Sequence, residues 1–178
     1  MLYVFGFERV CVVMGDLFFV DPQPGEGQEG AERGVRLEVR LIDRQPLQGS
    51  IYSAQPIAIG KPIWRADLLE RADGPPASFD RTHHHPTFRS WEPGRRQYDP
   101  ELSAAPVEWV ASQLRDLDAL ASRSEVGADE LAPTDADDLR AAVPEIEETL
   151  RRLLGRVHAG DLARPPAGAV ESARSSWL

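Results

Sequence analysis

The chain predicts an α+β fold, an antiparallel sheet from the N-terminal half packed by two to three helices from the C-terminal half. Three observations carry this. Apolar and polar residues alternate over 35–42, the signature of a strand with one wet face. Apolar residues recur at three- and four-residue steps in two stretches between 100 and 160. The two patterns are segregated along the chain rather than interleaved. At 178 residues and 42% hydrophobic content the chain suffices for one core. The expected organisation is one domain over 1–163, with strands over 1–70, a connection over 72–99 and helices over 100–160. A tail over 164–178, rich in Pro, Gly, Ala and Ser, is expected to be disordered unless Trp177 docks it.

Arg9–Met14 and Leu17–Asp21 are β-rich runs separated by Gly15-Asp16, which predicts a hairpin with a two-residue turn. Residues 22–34 hold four glycines, two prolines and three glutamates and predict a mobile loop. In the next strand Val35, Leu37, Val39 and Leu41 share one face and Arg36, Glu38 and Arg40 the other. Ser50–Ile59 and Lys61–Leu69 read as two further strands, with Pro56 and Pro62 directing their pairing to edges, bulges or strand starts, and with Ala66–Arg71 also compatible with a helix. The connection 72–99 carries prolines, three histidines, Phe88 and Trp91, and its aromatic content predicts order.

In the back half, Ser103 or Asp99 offers a helix cap, Asp99-Pro100-Glu101 being the stronger start signal, with Val107, Val110, Leu114, Leu117 and Leu120 on one face. Thr134, with Asp137 three residues on, opens a second helix through Leu139, Val143, Ile146, Leu150, Leu153 and Val157. Pro144 is expected to kink or split it. Glu147 with Arg151 and Glu148 with Arg152 are i,i+4 pairs that support a helix and carry no chemistry.

The net charge of −9 argues against broad binding to nucleic acid or anionic lipid, which need a positive surface. Residues 1–99 hold 14 acidic and 12 basic side chains, residues 100–178 hold 15 and 8, so the C-terminal part carries most of the charge. The lone Cys11 permits no internal disulfide and sits in an apolar strand, consistent with a reducing cytoplasm. No apolar run reaches membrane-helix length.

The chemistry-bearing feature is His83-His84-His85. In an extended segment His83 and His85 point to one side and His84 to the other, so the outer pair can grip one divalent metal. Asp67, Asp80, Glu92 and Asp99 are the nearest carboxylates in sequence, and the candidate ligand set is His83, His85, Asp67 and Glu92. In the cupin pattern a glutamate follows H-x-H after three or four residues. Here those positions hold Arg89 and Ser90, a departure from that pattern. Arg65 and Asp67 share one face of their strand. A catalytic set of His83, His85, Arg65 and Asp67 would place Arg65 on an anionic substrate and Asp67 on an imidazole or a metal. The competing readings are an ordinary same-face ion pair and histidines that bond loop backbone and stack on Phe79, Phe88 or Trp91. Arg95 and Arg96 follow a Pro-Gly turn and are expected to pair with the protein's own carboxylates.

The run Trp64-Arg65-Ala66-Asp67-Leu68, then Asp80-Arg81-Thr82-His83-His84-His85-Pro86, then Trp91-Glu92-Pro93-Gly94-Arg95, resembles a set of conserved proteins of high-GC bacteria. The resemblance implies no particular activity. A fainter similarity is to small domains associated with toxin–antitoxin systems. The expectation is a small cytoplasmic binding or accessory protein, taking a protein partner or a small ligand. The alternatives are a metal-dependent or histidine acid–base enzyme acting on a small anionic substrate, and an antitoxin- or immunity-type partner of a basic protein.

Overall fold

The computed structural model describes residues 1–165, so the expected tail and Trp177 fall outside the described residues from position 166 on. Five antiparallel strands run as a meander, β1 (Leu2–Gly6), β2 (Val10–Val20), β3 (Ala31–Arg44), β4 (Ile57–Arg71) and β5 (His83–His85). A hairpin of β6 (Phe88–Arg89) and β7 (Glu92–Pro93) follows, then α1 (Pro100–Ala104), α2 (Pro106–Leu114), α3 (Leu117–Arg123) and α4 (Asp135–His158). The fold class is α+β, as the segregated patterns predict. Among the described residues no helix is long and apolar enough to cross a membrane.

The alternation in β3 sets the two faces of the sheet. Val12, Val39 and Trp64 align across β2, β3 and β4, as do Met14, Leu37 and Ala66. All six are fully buried in one core with Val110 and Leu114 of α2 and Leu139, Val143, Ile146 and Leu150 of α4. Each large aliphatic side chain so removed from water contributes about 1.5–3 kcal/mol. Gly34 lets β3 and β4 close together, since a Cβ there would stand 2.0 Å from the Leu68 carbonyl oxygen.

Several elements differ from their sequence reading. Gly15-Asp16 is no turn; β2 runs straight through it, because β3 offers a continuous partner from Ala31 to Leu41. The turn lies earlier, where Phe7 N–H donates to Val10 O at 2.9 Å. Asp16 instead accepts from the N-terminal ammonium and from Ala163 N–H. The loop over 22–34 ends at Gly30, and Ala31–Gly34 belong to β3. Ser50–Ile59 and Lys61–Leu69 are not two strands; one strand begins at Ile57, and its register shifts beside Pro62, where a missing N–H is tolerated.

The expected first helix is three, cut at Pro106 and at Arg115-Asp116, although Asp99 caps its start by accepting from Glu101 N–H. The last helix stays whole through Pro144. Pro144 and Arg140, whose carbonyl loses its helical donor, both lie at the exposed surface, where water replaces the missing bond. The start of α4 is held by the buried Asp135 rather than by the Thr134 side chain. Asp135 accepts from Ala132, Glu8 and Arg9 N–H groups and ties the helix to the β1–β2 turn.

Candidate functional site

β5 pairs with β4 so that His83 faces Asp67, His84 faces Ala66 and His85 faces Arg65. Strand alternation then sorts the three histidines. His84 joins Ala66 on the helix-covered side, its ring edge-on to Trp109 at 4.8 Å between centroids. His83 and His85 project from the opposite face with Arg65 and Asp67, their rings 5.2 Å apart. Arg36 of β3 lies opposite Asp67 and Glu38 opposite Arg65 on that same face.

Asp67 is the hub. Its Oδ1 accepts from Arg36 Nε at 2.7 Å and its Oδ2 from Arg36 Nη2 at 3.4 Å, a two-pronged ion pair. Oδ2 also has Arg65 Nε at 3.0 Å, His83 Nε2 at 3.3 Å and His85 Nε2 at 3.8 Å. The two guanidiniums and the His83 contact outweigh burial and hold the Asp67 carboxyl well below the usual carboxylate range.

The imidazole tautomers follow from their partners. A carbonyl only accepts, so His83 Nδ1–H donates to Arg81 O at 2.9 Å and His85 Nδ1–H to Gly94 O at 2.7 Å. Both Nε2 atoms are thereby aimed at Oδ2. His85 Nε2 accepts from Arg65 Nη2 at 2.8 Å. Burial and the Arg65 charge push its pKa down to about 4. His83 Nε2 faces a carboxylate oxygen, and two lone pairs at 3.3 Å require a positive charge between them, a second proton or a metal ion.

Asp67, His83 and His85 each offer one ligand atom, all within 4.8 Å of one another. A tetrahedral ion with bonds of about 2.0–2.1 Å holds its ligands about 3.3–3.4 Å apart. The 3.3 Å and 3.8 Å separations already approach that spacing. Each imidazole also has the carbonyl partner on its far nitrogen that a metal-ligating histidine uses to fix its orientation.

The site is roofed by the connection that the aromatic content marked as ordered. Phe88 lies under the Arg65 guanidinium at 6.0 Å, Trp91 under that of Arg40 at 5.1 Å, and the Tyr98 ring is 5.6 Å from that of His83. Arg96 ties this segment to Asp21 at 3.0 Å and to Gln28 at 3.1 Å. The result leaves Asp67 1%, His83 3% and His85 4% exposed.

His83, His85, Asp67 and Arg65 therefore come together. Glu92 does not; it sits exposed on β7 opposite Arg89, because the hairpin turns it away from the sheet. Asp80 accepts from Arg71 N–H and Ser78 Oγ, and Asp99 caps α1. The expected stacking partners are partly reassigned. Phe88 approaches His85 at 6.5 Å, whereas Phe79 packs on His158. Arg95 is exposed, whereas Arg96 pairs with Asp21 as expected.

Two residues at the site were not singled out from sequence. Arg36 was visible as an outward residue of β3, but its place opposite Asp67 depends on register. Glu32, two residues before Gly34 on the same face, is buried; burial pushes its carboxyl up, partly offset by His83, Arg96 and Arg81. The glycine-rich surroundings of Glu32 masked the start of the strand. Compared with known protein families, curated proteins and solved structures, the chain matches none of them.

Proposed function

We propose that the protein binds one divalent transition metal ion through His83 Nε2, His85 Nε2 and the Asp67 carboxylate, the ion being the small ligand of a binding protein. The observation that carries this is the convergence of both Nε2 atoms on Asp67 Oδ2, with each Nδ1 held by a backbone carbonyl. Two imidazoles and one carboxylate suit zinc, iron(II) or manganese(II) and leave further coordination positions for water or a ligand oxygen. Arg65 would move aside, since its Nη2 now occupies the lone pair of His85. Glu38, directly opposite on β3 and already paired with Arg40 at 2.6 Å, is the cross-strand carboxylate that would receive it.

The Arg65 contact favours a second reading, in which the guanidinium is the lasting cation of the network and the cluster clamps β5 to β4. Elemental analysis and zinc or cobalt(II) titration of untagged protein separate the two. The metal reading expects one ion per chain, with affinity lowered about 10–100-fold or more by His83→Gln or His85→Gln and unchanged by His84→Gln. It also expects Arg65→Ala to raise affinity by removing the competing guanidinium. Absence of stoichiometric binding, or equal losses at all three histidines, would sink it and leave Arg65 as the cation.

A further inference from the structure

The two edges of the sheet are finished differently. β5 is closed by the connection that follows it, His84 N–H donating to Gln97 O at 3.0 Å and Gln97 N–H to His84 O at 2.9 Å. At the other edge β1 pairs with β2 alone among the described residues. The direction of its free groups follows from the ladder. Phe7 N–H donates to Val10 O at 2.9 Å, and hydrogen-bonded pairs alternate along an antiparallel ladder. Phe7, Phe5 and Tyr3 therefore turn their amides to β2, and Leu2, Val4 and Gly6 turn theirs to the outside.

A row of outward N–H and C=O groups is a template for another strand, and natural edges are blunted against it. Leu2-Tyr3-Val4-Phe5-Gly6 has no such protection, holding no proline, no charge and no register shift against β2. Leu2 is 65% exposed and Val4 48%.

The neighbouring α4 indicates which strand fits. It runs antiparallel to β1: Asp135 accepts from Glu8 and Arg9 N–H beyond the strand's end, Arg152 lies over the Tyr3 ring at 5.5 Å, and Arg156 Nη1 reaches Met1 Sδ at 3.2 Å. Asp138, Glu145, Arg152 and Arg156 follow at steps of seven, seven and four and so share this flank of the helix. The flank is acidic beside the end of β1 and basic beside its start. The ion pairs of α4 among the described residues use Asp137, Arg140, Glu147, Arg151 and His158, and none of these four. The helix dipole accounts for Asp138 and Arg156 near the helix ends, but not for Glu145 and Arg152 in its middle.

We propose that β1 pairs antiparallel with β1 of a second copy of the chain, about a two-fold axis through Val4, joining the two sheets into one. On that register the outward groups meet as hydrogen-bonded pairs, Val4 with Val4 and Leu2 with Gly6, and Tyr3 stands opposite Phe5 as an aromatic cross-strand pair. The same axis turns the basic half of each α4 flank toward the acidic half of the other, Arg152 toward Glu145 and Arg156 toward Asp138, the isologous arrangement usual for dimers. A parallel pairing would set like charges together. This edge lies across the sheet from His83 and His85, and the inference is independent of the metal reading.

Sedimentation equilibrium of the full chain tests it, with a dimer as the expected species. Val4→Pro removes the two central donors, which face away from β2, and is expected to weaken association about tenfold or more. Should that variant fail to fold by circular dichroism, Val4→Lys sets two like charges on the axis and is expected to do the same. Arg152→Glu should weaken association severalfold, and adding Glu145→Arg should restore it. Hydrogen exchange should slow at the Leu2, Val4 and Gly6 amides as protein concentration rises. Monomer at every concentration, a dimer indifferent to the Val4 substitutions, or no rescue by Glu145→Arg overturns the proposal. So does protection of those three amides that is independent of concentration, which would assign the edge to residues 166–178 of the same chain.

Discussion

The two faces of this sheet are made by alternate residues of the same strands and are held by different physics. On the helix-covered face Leu37, Ala66 and Met14 lie in an apolar core that meets one polar ring, His84 beside Ala66, and non-directional burial does most of the holding. On the other, Asp67, His83 and His85 are nearly as buried while Arg36 reaches water, and each must find a partner of defined charge and direction. An apolar core tolerates exchange of one hydrophobe for another, whereas a buried polar network is satisfied as a set or not at all. Burial alone therefore does not locate a core here. What differs is the cost of removing one member.

The largest expected effect therefore comes from the polar face. Asp67→Ala leaves the Arg65 guanidinium, 14% exposed, and the partly exposed Arg36 without their shared carboxylate, and breaking one side of a buried pair costs about 3–5 kcal/mol, with water at Arg36 holding the loss to the lower end. Urea unfolding would report it. A loss below about 1 kcal/mol would mean that Arg65 too reaches water and that the face is not closed in solution.

The matching change on the apolar face is Leu37→Ala, expected to cost about 2–5 kcal/mol through lost burial and the cavity left behind. It lies one residue from Arg36 yet points the other way, so metal affinity should hold at temperatures where the variant stays folded. A tenfold change in zinc affinity for Leu37→Ala would show that the two faces are coupled through the backbone of β3, against the division drawn here.

How far these faces were legible in sequence follows from the same alternation. Period two assigned Leu37 and Arg36 to opposite sides, and it separated His83 and His85 from His84 without knowledge of any neighbour. Register is a different kind of information. Which carboxylate meets the histidines depends on how β5 docks on β4, so Asp67 and Glu92 were equal candidates until pairing placed one opposite His83 and the other on a solvent-facing hairpin. Local turn chemistry misled at Gly15-Asp16, where an unbroken ladder to β3 outweighs the glycine's preference. Near Pro106 the opposite happened, an unbroken apolar periodicity suggesting one helix where one amphipathic face is shared by three short ones. Apolar periodicity survives such breaks because the core requires the face, not the continuity of the helix.

The smallest expected effect is the pH dependence of the metal-free protein, to which the polar face contributes through His85 and the helix-covered face through His84, whose pKa burial also lowers. His85 has a folded pKa lowered from 6.5 to about 4 by burial and the Arg65 charge. Between those values the unfolded chain binds a proton that the folded chain refuses. Stability is thus fully present above about pH 6.5 and declines as pH falls toward 4. At 1.36 kcal/mol per pH unit the ceiling is about 3 kcal/mol, reduced to the extent that relaxation eases the buried charge. Asp67, also lowered, adds a further loss in the same direction once pH falls below the ordinary carboxylate value. Urea midpoints measured from pH 4.5 to 7.5 should rise and then level off. In His85→Gln, which keeps a polar group but cannot titrate, the rise should shrink to the share that the buried His84 supplies. An unchanged slope in that variant would assign the proton elsewhere and would mean that the Arg65 to His85 contact does not hold the imidazole neutral.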